Sequence, residues 1–320
     1  MNAIRVNKFG EPDVMKLENR PDFQVEAGQI LVDIKAAGVN PVDTYIRAGT
    51  YPMKPELPFT PGMDGAGIVA AVGDTEGDIS VGQRVYLAGS LTGTYASQAL
   101  CSVTQAYPLP ENISFKEGAG IYVPYATAWR GLFQRAKSQA GETVLVHGAS
   151  GGVGIAAVQL ARAAGMTVIG TVGSERGKSL VLEQGAHHVV NHYETNYTEE
   201  IIELTKGLGV NVIMEMLANI NLSKDLKLLN YGGRVVIIGN RGEIEINPRD
   251  AMAKDANILG MVLLLASPAD LSAIHAGLYA GLEKNILKPV VGKEFSLGEA
   301  SLAHLAVMEP GAYGKIILSP

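Results

Sequence analysis

A glycine-rich turn between an apolar segment and a helical pattern is the part of this sequence best suited to bind a phosphate group. Residues 144–154 are Val-Leu-Val-His-Gly-Ala-Ser-Gly-Gly-Val-Gly. The apolar start predicts a buried strand, and apolar residues at helical spacing run from Val153 until Gly165. Gly151 and Gly154 let the backbone approach a ligand closely, while the amides and the dipole at the helix start favour an anion. Strand, glycine turn and helix in this order predict a diphosphate-binding site.

The sequence that follows decides whether this turn binds a dinucleotide or only packs a helix on a strand. The turn departs from the usual fingerprint, because Ala149 stands where the first glycine is expected. Further strands are predicted at residues 167–172, 189–191, 210–214, 234–239 and 258–265, and helices at 178–184, 198–206 and 222–229. Strands that alternate with helices predict a doubly wound parallel sheet of the Rossmann type, which binds dinucleotides at the carboxyl ends of its strands.

Composition places the chain among soluble globular proteins. Its 320 residues are 47% hydrophobic and 18% charged, which is enough for two domains. Residues 258–266 form the longest apolar run, far short of the roughly 18 to 20 residues that span a bilayer, and residues 1–10 lack a signal-peptide core. We therefore expect a cytoplasmic protein without a membrane partner. The net charge of −6 argues against a broad basic surface for nucleic acid, and a single cysteine, Cys101, excludes an intrachain disulfide.

The sequence on either side of this region predicts a second domain rich in β-structure. A strand is predicted over residues 29–39, where Ile30, Val32, Ile34 and Ala36 share one face and Asp33 and Lys35 share the other. Further strands are predicted at 65–72, 84–88 and 95–102, which together indicate a barrel-like β domain. Prolines at every third position from Pro52 to Pro61 predict a stiffened loop beside the active site rather than a polyproline ligand. After a helix at 270–283, strands at 288–295 and 315–318 return to the β domain. The predicted domains are residues 1–121 with 267–320, and residues 122–266 inserted between them.

Four segments resemble the quinone oxidoreductase branch of the medium-chain dehydrogenase/reductase superfamily. They are residues 36–43 (AAGVNPVD), 61–67 (PGMDGAG), 147–154 and 215–254, the last of which closely resembles the ζ-crystallin group of NADPH:quinone reductases. The resemblance covers essentially the whole chain. It implies a Rossmann domain inserted into a GroES-like β-barrel catalytic domain, and NADPH-dependent reduction of quinones.

Two positions distinguish this chain from the zinc alcohol dehydrogenases of the same superfamily. Those enzymes have a cysteine ligand where this chain has Asn40, and Gly-His-Glu where it has Gly62-Met63-Asp64. The six histidines show no paired metal spacing, and the adjacent His187 and His188 are predicted to be surface residues. We therefore expect no metal. Without a Lewis acid the acceptor must take hydride through its own electronic structure, as quinones and activated enones do.

The resemblance also implies which residues form the site. It places Tyr45 at the nicotinamide end of the cofactor, Asn40 in the former metal region and Tyr51 along the lining, so these three are the expected catalytic residues. Each has an alternative, because tyrosines in a proline-rich segment often only pack and an asparagine before proline often only forms a turn. The resemblance further implies a set of cofactor-binding residues, which are Tyr45, Ser150, Gly151, Gly152, Val153, Gly173, His192, Asn221, Ile238, Gly239, Asn240, Arg241, Met261, Val262 and Leu263. We add Ser174, Arg176 and Lys178 to this set from the chemistry of their side chains.

The end of the second predicted strand favours NADPH over NADH. A site selective for NADH usually has a carboxylate there for the ribose hydroxyls, whereas this strand ends at Gly173 without one. Ser174, Arg176 and Lys178 follow, and with His192 they offer donors to a 2′-phosphate. Glu175 is the alternative, since it could accept from a ribose instead.

Three questions of function stay open in the sequence. An acceptor with an activated double bond, in an enone or enal, needs the same cofactor site and only a different pocket. The ζ-crystallin group has also been recruited as lens protein, and binding to AU-rich RNA is attributed to it, although no RNA-reading motif is visible here. The resemblance suggests a homotetramer, which the residues do not establish.

Overall fold

Contacts divide the chain into two units in the computed structural model, which describes residues 1–74 and 79–320. The first unit comprises Met1–Val123 and Tyr279–Pro320, and the second comprises Pro124–Leu278. The chain therefore leaves the first unit once, after residue 123, and returns to it at residue 279.

The described strands, in chain order, are β1 (Asn2–Val6), β2 (Met15–Asn19), β3 (Gln29–Val39), β4 (Asp64–Val72), β5 (Arg84–Ala88), β6 (Gln98–Ser102), β7 (Ala106–Pro108), β8 (Thr143–Val146), β9 (Thr167–Val172), β10 (His188–Asn191), β11 (Val210–Glu215), β12 (Leu229–Ile237), β13 (Asn257–Gly260), β14 (Val291–Ser296) and β15 (Lys315–Ser319). The α-helices are α1 (Pro41–Ala48), α2 (Phe115–Gly118), α3 (Thr127–Trp129), α4 (Gly152–Ala163), α5 (Glu175–Glu183), α6 (Tyr197–Leu204), α7 (Ala218–Leu228), α8 (Pro248–Met252), α9 (Pro268–Glu283) and α10 (Ala300–Ala306). Two π-helical turns, Tyr122–Ala126 and Arg130–Arg135, flank α3.

The first unit is built around β3. This strand pairs antiparallel with β4, β6 and β15, so a strand from the C-terminal part of the chain lies in the same sheet. The sheet runs in the order β14-β15-β3-β4-β5-β7, and its apolar side chains form the core. The alternation that predicted β3 reflects this arrangement, because a strand with one face in the core needs apolar side chains at every second position.

Helix α1 was not predicted, although its boundary signals are present. Asn40 is the N-cap residue, Pro41 takes the first helical position, and Gly49 ends the helix in the left-handed conformation with φ 74°. These are the residue types that favour helix starts and ends. The helix is only eight residues long, which is too short for its apolar periodicity to stand out.

The second unit contains the predicted doubly wound sheet. Its strands run in the order β10-β9-β8-β11-β12-β13, and every pair is parallel. The prediction of one strand over residues 258–265 is wrong, since β13 ends at Gly260 and Leu263–Leu265 form a 3-10 turn. The neighbouring β12 ends at Ile237, whose carbonyl accepts from the Met261 amide at 3.0 Å, so the chain has no backbone partner for a longer strand. Within the described ranges, no helix has the length and apolar character needed to cross a bilayer.

The later junction between the units has a local cause in α9. Asp270, in its first turn, lies 3.1 Å from the Arg130 guanidinium and accepts through its carbonyl from Gln134 at 3.0 Å. Gly277 meets the Trp129 ring so closely that a Cβ there would lie 2.1 Å from it. These contacts hold the helix up to about residue 278 with the second unit, whereas the sequence placed the boundary at 266/267.

Candidate cofactor and active site

The glycine turn has the geometry of an anion-binding helix start. Gly148 adopts φ +57°, and Gly154 lies so close to it that a Cβ at Gly154 would be 2.4 Å from the Gly148 carbonyl oxygen. Gly151 caps α4 and has no side chain to accept from the first helical amides. These amides therefore offer donors at the positive end of the helix dipole, which suits a phosphate.

The predicted cofactor residues of the second unit all follow strands of the parallel sheet. Ser150 to Val153 follow β8, Gly173 to Lys178 follow β9, and His192 follows β10. Asn221 lies in α7 after β11, residues 238–241 follow β12, and residues 261–263 follow β13. Parallel strands have their carboxyl ends at one edge, so the sheet brings residues from six separate segments to the edge where such folds bind ligands.

The residues after β9 form a polar rim. Ser174 caps α5 by accepting from the Gly177 amide at 3.2 Å, and Arg176 and Lys178 are exposed on the same helix. Burial is the main cause that lowers the pKa of the half-buried His192, so its ring is neutral at pH 7 and offers one donor and one acceptor. A Cβ at Gly173 would lie 3.1 Å from His192 Nε2 and 2.6 Å from the Tyr193 ring, so glycine lets both rings pack there.

A buried polar cluster below the glycine turn was missed by the sequence analysis. His147 Nε2 lies 2.8 Å from Asp225 Oδ1 and 3.4 Å from Glu215 Oε2, and its Nδ1 is 3.2 Å from Thr171 Oγ1. Among the described residues, His147, Glu215 and Asp225 form the only group of three or more His, Cys, Asp or Glu residues whose ligand atoms lie within 4.8 Å of one another. The residues were visible at strand ends and in the 215–254 segment, but nothing in their spacing predicts that they meet.

Burial disfavours the charged form of all three groups in this cluster. Burial raises the pKa of both Glu215 and Asp225 to about 7, while burial lowers that of His147. Like charges this close disfavour joint ionisation, which also favours the protonated form of the carboxyl pair. Glu215 Oε1 also accepts from Asn221 Nδ2 at 3.2 Å. The cluster thus connects the glycine turn to Asn221, one of the expected cofactor residues.

In the first unit, Asn40 is buried and both ends of its side chain are bonded. Its Nδ2 donates to Asp64 Oδ2 at 3.0 Å, and its Oδ1 accepts from the Lys315 ammonium. Asp64 Oδ1 accepts in turn from the Val123 amide at 2.9 Å. Asn40 is therefore more than a turn residue, because it belongs to a buried ion-pair network.

A backbone hydrogen bond links the two predicted tyrosines. Tyr45 is in the middle of α1 and half-buried, and its carbonyl accepts from the Tyr51 amide at 3.2 Å. Tyr51 is also half-buried. A cavity of about 810 Å³ in the same unit is lined by Asp43, Ile46 and Met63 among others, but neither tyrosine lines it.

A second buried network packs under α1. Asp43 Oδ2 accepts from the Asn40 amide at 2.8 Å and from the Tyr95 hydroxyl at 3.2 Å, and His304 Nε2 lies 3.2 Å from the same hydroxyl. Burial raises the pKa of Asp43 to about 7 and lowers that of His304 to about 3. The neutral His304 and the partly protonated Asp43 avoid most of the cost of burying charge.

Each of the two units contains a segment that matches a known protein family. The model of the alcohol dehydrogenase GroES-like domain matches residues 26–134, and that of the zinc-binding dehydrogenases matches residues 152–276. Human quinone oxidoreductase is 49% identical over 322 residues, which cover 99% of this chain and 97% of the human protein. The structure of Escherichia coli quinone oxidoreductase complexed with NADPH has a TM-score of 0.89 at 30% identity and covers 100% of both chains. That of CurK enoyl reductase has a TM-score of 0.90 at 27% identity and covers 99% of this chain and 98% of the other.

The low pKa of His304 makes stability depend on pH. The His304 imidazole takes up a proton near pH 6.5 in the unfolded chain but only near pH 3 in the folded protein. The contribution of neutral His304 to the free energy of unfolding is therefore complete above pH 6.5 and decreases as the pH falls towards 3. Between pH 7.5 and pH 5, this residue should reduce the free energy of unfolding by about 2 kcal/mol. Urea unfolding of the parent and of His304→Gln at both pH values should show a smaller loss in the variant. The exposed His188→Gln is the control, and parallel pH profiles for parent and His304→Gln would contradict the assignment.

Proposed function

Since the chain belongs to the quinone oxidoreductase family of the medium-chain dehydrogenase/reductase superfamily, we propose that it is an NADPH-dependent quinone reductase that works without zinc. The observation that carries the proposal lies at the carboxyl edge of the parallel sheet. There the start of α4, which has no side-chain cap, follows β8, and the polar rim with Arg176 and Lys178 follows β9. The human relative named quinone oxidoreductase and the Escherichia coli structure with NADPH support it. In this proposal the second unit holds the cofactor and the first unit supplies groups for the acceptor.

The second unit fits NADPH in its donor set. The turn of residues 150–153 would bind the diphosphate, because Gly151 leaves the first helical amides without a side-chain acceptor. Ser174, Arg176, Lys178 and His192 would bind the 2′-phosphate, and the absence of a carboxylate from the end of β9 favours that group over a free ribose hydroxyl. Asn221 and residues 238–241 and 261–263 would hold the rest of the cofactor. When bound, the nicotinamide supplies a hydride.

The first unit does not fit a zinc ion at the positions that bind it in zinc alcohol dehydrogenases. Asn40 presents an amide and Met63 a thioether, both weak ligands beside the thiolates and imidazoles that zinc prefers. Asp64 is already bonded to the Lys315 ammonium, at 2.5 Å. No step of the proposed reaction therefore involves a metal, and the acceptor has to be reactive by itself.

Quinones meet this requirement. Their carbonyls are strongly electrophilic and the product is aromatic, so the protein contributes orientation and hydrogen bonds rather than acid catalysis. We place Tyr45 and Asn40 in that role and Tyr51 along the lining. A second candidate is the reduction of activated double bonds, which the similarity to CurK enoyl reductase favours.

Steady-state kinetics test the function directly. With NADPH, ortho- and para-quinones should be reduced at least tenfold faster than enones, and dialysis against a chelator should leave the rate unchanged. Tyr45→Ala should lower kcat/KM about tenfold or more through weaker positioning. Zinc at one ion per chain together with loss of rate on chelation would disprove metal-free catalysis, and faster enone reduction would favour the second candidate. An unchanged Tyr45→Ala variant would remove Tyr45 from the site.

Two glycines of the turn should separate folding from binding. A Cβ at Gly151 would meet its nearest atom at an ordinary 3.4 Å, whereas one at Gly154 would lie 2.4 Å from a backbone oxygen. Gly154→Ala should therefore cost about 3 kcal/mol of stability. Gly151→Ala should unfold like the parent but raise the KM for NADPH, since its methyl group stands at the proposed diphosphate site. Equal urea midpoints for all three proteins would contradict the turn geometry.

Cofactor selectivity should depend on the two cations after β9. Replacing both in Arg176→Ala/Lys178→Ala should lower kcat/KM for NADPH about tenfold or more and leave that for NADH unchanged, because only NADPH carries the 2′-phosphate. The exposed Lys227→Ala on α7 serves as a control that removes one positive charge from the same unit. If the parent uses NADPH and NADH equally well, the proposed preference for NADPH is wrong. If the double variant keeps the parent's selectivity, residues other than Arg176 and Lys178 contact the 2′-phosphate.

A further inference from the structure

Lys315 is a buried lysine in the first unit whose charge is compensated inside the protein. It is the first residue of β15, and its side chain is only 5% exposed. Its Nζ lies 2.5 Å from Asp64 Oδ2 and also donates to Asn40 Oδ1. Lysines are rarely buried unless paired, because desolvating an ammonium group is costly. The position therefore needs an explanation beyond packing.

The backbone of β3 is shaped to admit this side chain. A Cβ at Gly38 would lie 2.6 Å from Lys315 Cε, 2.9 Å from Asp64 Cβ and 2.1 Å from the Ala119 carbonyl oxygen. Gly38 pairs with Ile317 in the ladder between β3 and β15. The absence of a side chain at Gly38 thus opens the path by which Lys315 crosses the strand and reaches Asn40 and Asp64.

The bonding fixes the Asn40 carboxamide in one orientation. Its oxygen faces the ammonium and one of its two N–H groups faces Asp64. The flipped orientation is unfavourable, because it would place the amide oxygen of Asn40 against the Asp64 carboxylate and the amide nitrogen against the Lys315 ammonium. Within the part of the chain that the structure describes, the second N–H of the Asn40 side chain donates to no protein acceptor.

We propose that Lys315 is a positioning residue that supplies the fixed positive charge of the site and acts through Asn40. An ammonium on the amide oxygen withdraws electron density from the nitrogen, which makes the remaining N–H a stronger donor. That N–H donates to the acceptor oxygen that becomes negative when hydride adds to the quinone, before the oxygen takes a proton from solvent. The ammonium thus takes over part of the electrostatic role of a metal, at the two positions that match the zinc-site region. The kinetic part of this inference rests on the proposed function.

Charge-matched variants separate catalysis from folding. Lys315→Met removes the charge but leaves Asp64 buried and unpaired, so it should unfold at lower temperature. Asp64→Asn/Lys315→Met removes both charges and keeps the volumes, so it should regain most of the parent's Tm. Both variants should lose at least tenfold in kcat for quinone with KM for NADPH unchanged. A double variant with the parent's kcat would overturn the proposal, because the pair would then serve only stability.

An exposed ion pair of the same unit provides the control. Lys116 Nζ lies 2.6 Å from Glu294 Oε2, with both side chains about half exposed. Lys116→Met should change neither Tm nor kcat, because exposed pairs contribute little. A loss of kcat in this variant equal to that in Lys315→Met would show that the effect is not specific to the buried ammonium and would also overturn the proposal.

A readout independent of turnover keeps the inference distinct from the proposed function. In protein labelled with nitrogen-15 asparagine, the side-chain amide signals of Asn40 are those lost in Asn40→Asp. Lys315→Met should shift these signals and speed their exchange with solvent. If the parent reduces no quinone, the proposed function fails, yet shifted signals still support the link between Lys315 and Asn40. Unshifted signals overturn that link whatever the rates.

Discussion

A charge buried away from water has to find its partner inside the protein, and in the first unit this requirement joins distant parts of the chain. Lys315 comes from β15, Asp64 from β4 and Asn40 from the start of α1, and the three groups meet in the protein interior. The pairing of β15 with β3 is what brings the lysine within reach. An error in that register would bury an unpaired ammonium and an unpaired carboxylate together, at a cost of several kcal/mol. The ion pair and the strand order therefore depend on each other.

The second unit meets the same requirement with a cluster of a histidine and two carboxyl groups, whose pKa values burial shifts towards the neutral forms. His147 follows β8 and Glu215 ends β11, the two adjacent strands at which the strand order of the sheet reverses. Asp225 reaches them from α7. Doubly wound sheets bind their ligands at this reversal, because the connecting helices diverge there and leave a crevice. The contacts of this cluster connect the glycine turn, through His147 and Glu215, to Asn221.

The similarity to zinc-binding dehydrogenases concerns the scaffold more than the chemistry. The family model matches residues 152–276, which hold five of the six strands of the parallel sheet, while the zinc ligands of the alcohol dehydrogenases correspond to positions near Asn40 and Met63 in the other unit. A scaffold of this kind supports different reactions because function depends on a few side chains placed upon it. In this chain those positions carry an amide and a thioether, and the nearby carboxylate already has an ammonium partner. Under the proposed function, this difference favours an acceptor that needs no Lewis acid.

The sequence by itself determined the elements whose signals are local. The alternation in β3 and the strand-turn-helix at residues 144–154 depend on residues close together in the chain, and short-range backbone preferences decide them. The tertiary structure alone decided which polar groups meet. Asn40 and Lys315 are 275 positions apart, and His147 and Asp225 are 78 apart, so no local spacing predicts either contact. It also decided where β13 stops and where α9 belongs, since both depend on whether a neighbouring strand or aromatic ring is present. Periodicity records which face of an element is buried, whereas the identity of the partner follows only from strand order and register.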